Sequence, residues 1–152
     1  MQFRKLKAED KAIYFALASA FYQSDAVLHP VPVKNIENTF CELIRQDTYI
    51  ECYLCEEAGE AIGFLLIAKT FSQESGGMVT WIEELFLKEQ YRGAGRGAQM
   101  VEFIEKTFPA SRFRLEAEPD NEKAIRLYKR LGYVPLAYVQ YVKEENDANH
   151  DC

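Results

Sequence analysis

Glu89-Gln90-Tyr91-Arg92-Gly93-Ala94-Gly95-Arg96-Gly97-Ala98 is the stretch on which the reading turns. Residues 92–97 hold three glycines and two arginines. An apolar, strand-like run at 79–88 precedes the stretch. In the 94–108 segment after it, Met100, Val101, Ile104 and Phe108 recur at helical spacing. Glycine lets the backbone approach a ligand with no Cβ in the way. The first N–H groups of a helix lack internal partners, and the helix dipole makes that end favourable for anions. Strand, glycine-rich turn and helix therefore read as a cradle for a pyrophosphate, with Arg92 and Arg96 adding positive charge. Gly93-x-Gly95-x-x-Ala98 also satisfies a dinucleotide-binding pattern, and Glu116 falls roughly 20 residues further on. Two features count against that ligand. The preceding strand carries Glu83 and Glu84, whereas a central parallel strand is apolar on both faces. It also follows an antiparallel meander. No Gly-Lys-Ser/Thr follows, which excludes a Walker loop.

Outward from the turn, the pattern alternates between periods of two and of 3.6. Residues 2–6 read as a strand, and Ile13, Ala16, Leu17, Ala20 and Phe21 mark a helix that ends near Ser24-Asp25. A loop with His29-Pro30-Val31-Pro32 leads to a second helix at 34–45. Strands at 49–57 and 61–71 flank Ala58-Gly59-Glu60, a hairpin signal. Beyond the turn, 112–118 reads as a strand, 121–131 as a helix closed by Gly132, and 133–142 as a final strand bent at Pro135. The expected class is α/β (α+β), a mixed, mostly antiparallel sheet flanked by helices, in the order β-α-α-β-β-β-α-β-α-β. One domain is expected over 1–143, with a polar tail at 144–152.

Arg92-x-x-Gly95-x-Gly97 resembles the acetyl-CoA pyrophosphate motif of the GNAT superfamily of N-acetyltransferases, R/Q-x-x-G-x-G/A. Glu84-Leu85-Phe86-Leu87 looks like that family's fourth strand. Asn121-x-x-Ala124-x-x-Leu127-Tyr128-x-x-x-Leu131-Gly132-Tyr133 is similar to its second signature. The two signatures come in the family's order with a strand between them, and the resemblance by motif covers residues 79–142. Only residues 133–143 follow the second signature, where the family has two strands, so the last strand is expected to be short, fused or completed by another subunit.

The resemblance implies direct transfer of an acetyl group from acetyl-CoA, as co-substrate, to a primary amine of a small molecule or peptide. It places the cofactor against Arg92, Gly93, Ala94, Gly95, Arg96, Gly97 and Asn121. The main chain of Leu85, Phe86 and Leu87 would take the pantetheine arm and the acetyl carbonyl. The amine must lose a proton before it attacks, and Glu84 and Glu83 are the candidate bases, with water acting alone as the other option. Adjacent strand residues point to opposite faces, so one of the two at most is expected to face the reaction. Tyr128 shares a helix face with Asn121, Ala124 and Leu131, and its phenol is the candidate acid for the departing sulfur and a candidate cofactor contact. Asn121 also suits a helix N-cap. Tyr22, Asp25 and His29 are candidate acceptor-binding residues. The alternatives are a dinucleotide-binding oxidoreductase module and a non-catalytic acyl-CoA-binding protein.

Composition frames these readings. The chain has 152 residues, 48% of them hydrophobic and 13% aromatic, which suffices for a core and excludes a disordered chain. Its net charge of −6 disfavours generic nucleic-acid binding. The first 75 residues hold 7 Lys or Arg and 11 Asp or Glu, so a cationic acceptor is expected on that side. No apolar run is long enough for a leader or a membrane span, and a cytoplasmic protein without nucleic-acid or membrane partners is expected, a homodimer being one allowed assembly. No metal is expected. Cys52 and Cys55 form an isolated C-x-x-C on a strand, which puts their side chains on opposite faces. All four cysteines are read as reduced thiols.

Overall fold

The computed structural model describes residues 1–24, 26–27 and 29–144. Strand β1 (Gln2–Lys5) leads through a short 3-10 turn to α1 (Lys11–Tyr22), and α2 (Val33–Arg45) follows. Strands β2 (Ile50–Glu57), β3 (Glu60–Ser72) and β4 (Gly77–Leu87) form an antiparallel meander. Helix α3 (Arg96–Thr107) carries the chain over to β5 (Arg112–Leu115), and α4 (Glu122–Arg130) is the last element. The five strands lie in the order β1-β2-β3-β4-β5, antiparallel except for the β4–β5 pair. A parallel neighbour requires a long crossover, and α3 supplies it. The class is the expected mixed one.

The three meander strands β2, β3 and β4 bury both faces. Cys52, Leu54, Phe64, Leu66 and Phe86 pack under α1 and α2, with Tyr14, Leu17, Phe21, Ile36 and Phe40. Cys55, Ile62, Leu65, Ile67, Ile82 and Leu87 pack against Met100, Val101, Ile104 and Phe108 of the α3 side. Cys52 and Cys55 thus lie in different layers, as their spacing requires, and both are free. Cys41 is disulfide-bonded, which corrects the reading of reduced thiols at that position, and Cys152 lies outside the described residues. The β2–β3 turn is Ala58-Gly59, with φ of 51° and 81°, the two-residue geometry that matches strand twist. Asp10, 4% exposed, accepts two hydrogen bonds from the Arg4 guanidinium, at 2.8 and 3.0 Å, and one from the Lys7 N–H. This pair ties the start of α1 to β1.

The expected final strand is not formed. Residues 133–144 carry no strand, and Val134, Tyr138, Val139, Tyr141 and Val142 are exposed. A strand exists only against a partner's N–H and C=O groups, and β5 pairs over four residues with β4 alone. Pro135 removes one donor besides. Of this segment, the Tyr138 hydroxyl donates to Glu74 at 3.2 Å. The tail beyond Glu144 lies outside the described residues.

Candidate active site

The glycine-rich turn has the geometry of an anion cradle. Gly93, Ala94 and Gly95 take successive positive φ values of 90°, 49° and 75°, so three residues stand in left-handed backbone at the entry to α3. Arg96 N–H donates to Gly93 C=O at 3.1 Å, and Gln99 N–H to Gly95 C=O at 3.1 Å. Among the described residues, the N–H groups of Ala94, Gly95, Gly97 and Ala98 have no acceptor. Nothing lies within 4 Å of where a Cβ on Gly93 or Gly95 would stand, so the space above the turn is open. A pyrophosphate fits these residues on the chemistry of the donors. The arginines divide. Arg96 makes a two-point contact with Glu57, at 2.8 and 3.0 Å, which offsets much of its charge. Arg92 is exposed, and its Nε donates to Leu87 C=O at 3.0 Å.

Strand β4 opens along its β5 side. The pairing with β5 runs from Val79↔Arg112 to Ile82↔Leu115 and stops. At the same point the β3–β4 register shifts: Ile67 faces Ile82, Leu66 faces Glu84, and Glu83 is the extra residue of a bulge. Beyond it, Lys88 N–H donates to Ile62 C=O. Antiparallel alternation then directs the main chain of Phe86 and Glu84 to β3 and that of Leu85 and Leu87 outward. Leu87 C=O is met by Arg92, while Leu85 faces the gap.

The bulge also re-aims side chains. Ile82 packs in the α3 layer, whereas Glu84 lies opposite Leu66 of the other layer. Glu84 is 8% exposed, and Tyr22 Oη donates to its Oε1 at 2.5 Å. Its Oε2 is buried without a partner. Burial pushes the Glu84 carboxyl up to about 7, the Tyr22 hydrogen bond pulls it down in part, and the Glu83 charge adds to the rise. The Glu83 residue is exposed, yet crowding around its carboxyl and the Glu116 charge shift it upward too. The bulge breaks the simple alternation of the strand here, and the Glu83 charge acts on Glu84 while both charges act on Tyr22.

Tyr128 is fixed by the end of α4. Tyr133 N–H donates to Tyr128 C=O and Gly132 N–H to Lys129 C=O, with Gly132 at φ 91°. This is the Schellman closure, and its usual apolar contact is the Tyr133 ring 6.1 Å from the Tyr128 ring. Tyr133 Oη in turn donates to Glu105 on α3 at 3.0 Å. The Tyr128 hydroxyl makes no hydrogen bond with a described residue, and burial raises its pKa. At the other end of α4, Asn121 caps the helix, its Oδ1 accepting from Ala124 N–H at 3.1 Å.

The sequence model of the acetyltransferase (GNAT) family matches residues 12–133. The chain belongs to this family. A spermine/spermidine N(1)-acetyltransferase of Bacillus subtilis (strain 168) is 26% identical over 81 residues, 49% of this chain and 53% of that protein. The match thus spans about half the length of this relative. Among solved structures, AAC(6')-Iy in complex with a bisubstrate analogue superposes with a TM-score of 0.76, at 14% identity over 95% of this chain and 97% of the other. A ribosomal-protein-alanine N-acetyltransferase from Brucella melitensis biovar Abortus 2308 gives 0.70, at 17% identity over 95% and 100%. These likenesses concern the fold.

Within this GNAT chain the sequence-derived residues fall into three places. Gly93, Ala94, Gly95, Gly97 and the exposed Arg92 line the cradle, while Arg96 is held by Glu57. Tyr128 packs with the α3 layer and Glu84 with the α1 layer, on opposite faces of the sheet at the end where β4 and β5 part. Tyr22 meets Glu84, His29 is exposed in the loop before α2, and Asp25 lies outside the described residues. The sequence reading did not single out Trp81, and considered Glu116 only within the dinucleotide pattern. Both line the mouth of the gap beside Glu83. No local signal marks them, because their meeting depends on where the β4–β5 pairing stops.

Proposed function

We propose that this chain is an N-acetyltransferase that moves the acetyl group of acetyl-CoA to a primary amine on a small cationic acceptor. The observation that carries the reading is the left-handed turn Gly93–Gly95 at the start of α3, whose N–H groups lack acceptors among the described residues and which follows a β4 strand left unpaired on its β5 side beyond Ile82. The bound co-substrate would supply an acetyl thioester, already activated toward amines. The cradle N–H groups and Arg92 hold its pyrophosphate, and the Leu85 N–H faces the position of the acyl oxygen, where negative charge develops. Glu84, and not Glu83, is the base. It is buried, titrates near neutrality, and keeps one oxygen free while Tyr22 orients the other. Tyr128 holds a phenolic proton for the departing sulfur, with no acceptor among the described residues competing for it. The names of the curated relatives and the acidic first half of the chain support a polyamine-like acceptor.

The test combines a thiol-release screen of amines against acetyl-CoA with binding calorimetry. Cationic amines are expected to release thiol. Arg92→Ala and Gly95→Val should weaken acetyl-CoA binding about tenfold or more, whereas Tyr128→Phe should lower turnover and leave that binding nearly intact. Normal acetyl-CoA binding in both turn variants would overturn the cradle. Stabilisation on heating by NAD and not by acetyl-CoA would favour the oxidoreductase alternative.

A further inference from the structure

Glu84 is met by a side chain that crosses from another element to reach it. Tyr22 is the last residue of α1, and Glu84 stands in β4 just beyond the bulge. The two are 62 positions apart in the chain, and Tyr22 Oη donates to Glu84 Oε1 at 2.5 Å. Hydroxyl–carboxylate bonds strengthened by charge lie at about 2.5–2.7 Å. Tyr22 is half-buried, and its place is held from both sides. Its neighbour Phe21 packs against Phe64 and Phe86 at ring distances of 6.2 Å each, and meets the Tyr22 ring edge-on at 5.0 Å. After it, Gln23 N–H donates to Ser19 C=O and the Ser24 hydroxyl to Phe21 C=O, which closes α1.

The other surroundings of this carboxyl oppose its charge. It is 8% exposed and lies opposite Leu66 of β3. Tyr14 of α1 and Cys52 of β2 lie within reach of its charge, and burial pushes both up, so neither ionises near neutrality. Glu83, next to it on its own strand, adds a like charge. No cation stands among the described groups that shift it, and the Tyr22 hydroxyl is the one that favours its ionised form. Burial without that bond would hold the proton on the carboxyl. A base must also let go. In each turnover Glu84 takes one proton from the acceptor's ammonium nitrogen and returns it to solvent before the next acceptor arrives. Burial favours the first step and hinders the second. A hydrogen bond to Oε1 favours the second and leaves Oε2 unoccupied.

We propose that Tyr22 is a positioning residue for the base: its hydroxyl anchors the Glu84 carboxylate through Oε1, leaves Oε2 to the acceptor, and lets the carboxyl shed its proton between turnovers. This rests on the reading of Glu84 as the base and adds to it the group that resets that base. Tyr22 thereby serves the base and not the acceptor's charge.

The test is carbon-13 NMR of the full chain, labelled at Glu Cδ and Tyr Cζ, together with rate profiles against pH. In the unaltered protein the Glu84 and Tyr22 resonances are expected to titrate together, with one midpoint near 7. In Tyr22→Phe the Glu84 midpoint should rise by about one pH unit or more, a factor of about ten in proton affinity. The rising limb of kcat/KM against pH should move up with it, so that kcat/KM at pH 7 falls about fivefold or more and recovers by about pH 9. Tyr49→Phe, which removes an exposed hydroxyl, should change neither. A Glu84 midpoint that stays in place in Tyr22→Phe would overturn the proposal. So would a Tyr22 resonance in the unaltered protein that does not follow the Glu84 titration, a measurement that needs no variant to fold. A loss of turnover equal at every pH would also overturn it, being the mark of a structural role alone. Thermal melts establish that each variant is folded. The underlying reading fails separately: a Glu84 midpoint that rises while the kcat/KM limb stays where it is keeps the hold of Tyr22 on the carboxyl and removes Glu84 from the role of base.

Discussion

At the scale of a single residue, Glu84 carries the clearest consequence. Its carboxyl titrates near 7 in the fold, against 4.5 ordinarily. The native state therefore binds its proton more tightly than the unfolded chain does. Below pH 4.5 both states are protonated and the group is neutral in its effect. Between the two values stability falls as pH rises, and above pH 7 the loss reaches roughly 3 kcal/mol. Glu84→Gln keeps an acceptor for Tyr22 and removes the charge. It is expected to match the native protein at pH 5 and to exceed its stability by about 1–3 kcal/mol at pH 8, while turnover falls about a hundredfold or more. Denaturant melts at the two pH values check this, and a stability difference independent of pH would show that the carboxyl is not shifted. The sequence offered Glu84 and Glu83 as candidate bases, Glu84 being the one directly before Leu85-Phe86-Leu87. It could not show the bulge at Glu83, since a bulge is a mismatch between two strands and belongs to neither alone.

At the scale of elements, the central β3–β4 pair sets the shape of the site. Gly63 sits where an added Cβ would stand 2.1 Å from Phe86 C=O and 3.0 Å from Leu87 Cα. Both neighbours are backbone, so no side-chain rotation relieves the clash. Gly63→Ala is expected to cost about 2 kcal/mol or more, read as a lower denaturant midpoint at unchanged slope, and to weaken acetyl-CoA binding by displacing Leu85 and Leu87. An unaltered midpoint would mean that β4 is free to move there. Helices and meander strands were legible because each carries its own period. The α4 terminus was legible as well, since Gly132 does at φ 91° what a closing glycine does. Residues 133–142 were not. Their alternation is that of a strand, but a period of two records only which side chains are apolar and says nothing of whether an edge is there to receive them. The β5 strand was overestimated for the same reason. Its expected residues 116–118 lie past the last pair with β4, and that early ending leaves Glu116 at the gap.

At the scale of the whole molecule, the net charge of −6 is unevenly spread. Residues 84–132 hold 10 Lys or Arg and 8 Asp or Glu, so the rest of the chain carries −8. The two ends of the site nonetheless use charge differently. At the cradle, Arg96 is held by Glu57, so in the proposed reading Arg92 and the directed N–H groups would hold the anion. The field of a helix start falls off within the first turn and is itself screened by salt, but N–H groups in contact with the anion are less sensitive to salt than charges acting across water. At the proposed acceptor end, attraction of a cationic amine would come from surface carboxylates and act through water. Salt shortens that reach from about 10 Å at 0.1 M to about 3 Å at 1 M. Raising salt across this range is therefore expected to increase KM for a diamine several-fold. KM for acetyl-CoA should rise by less, and kcat should change by under about twofold, because Glu84 is shielded by burial. Initial-rate kinetics with each co-substrate varied in turn would measure all three. A KM for the amine that does not move with salt would mean that shape and not charge draws the acceptor in. The acidic face would then serve solubility alone.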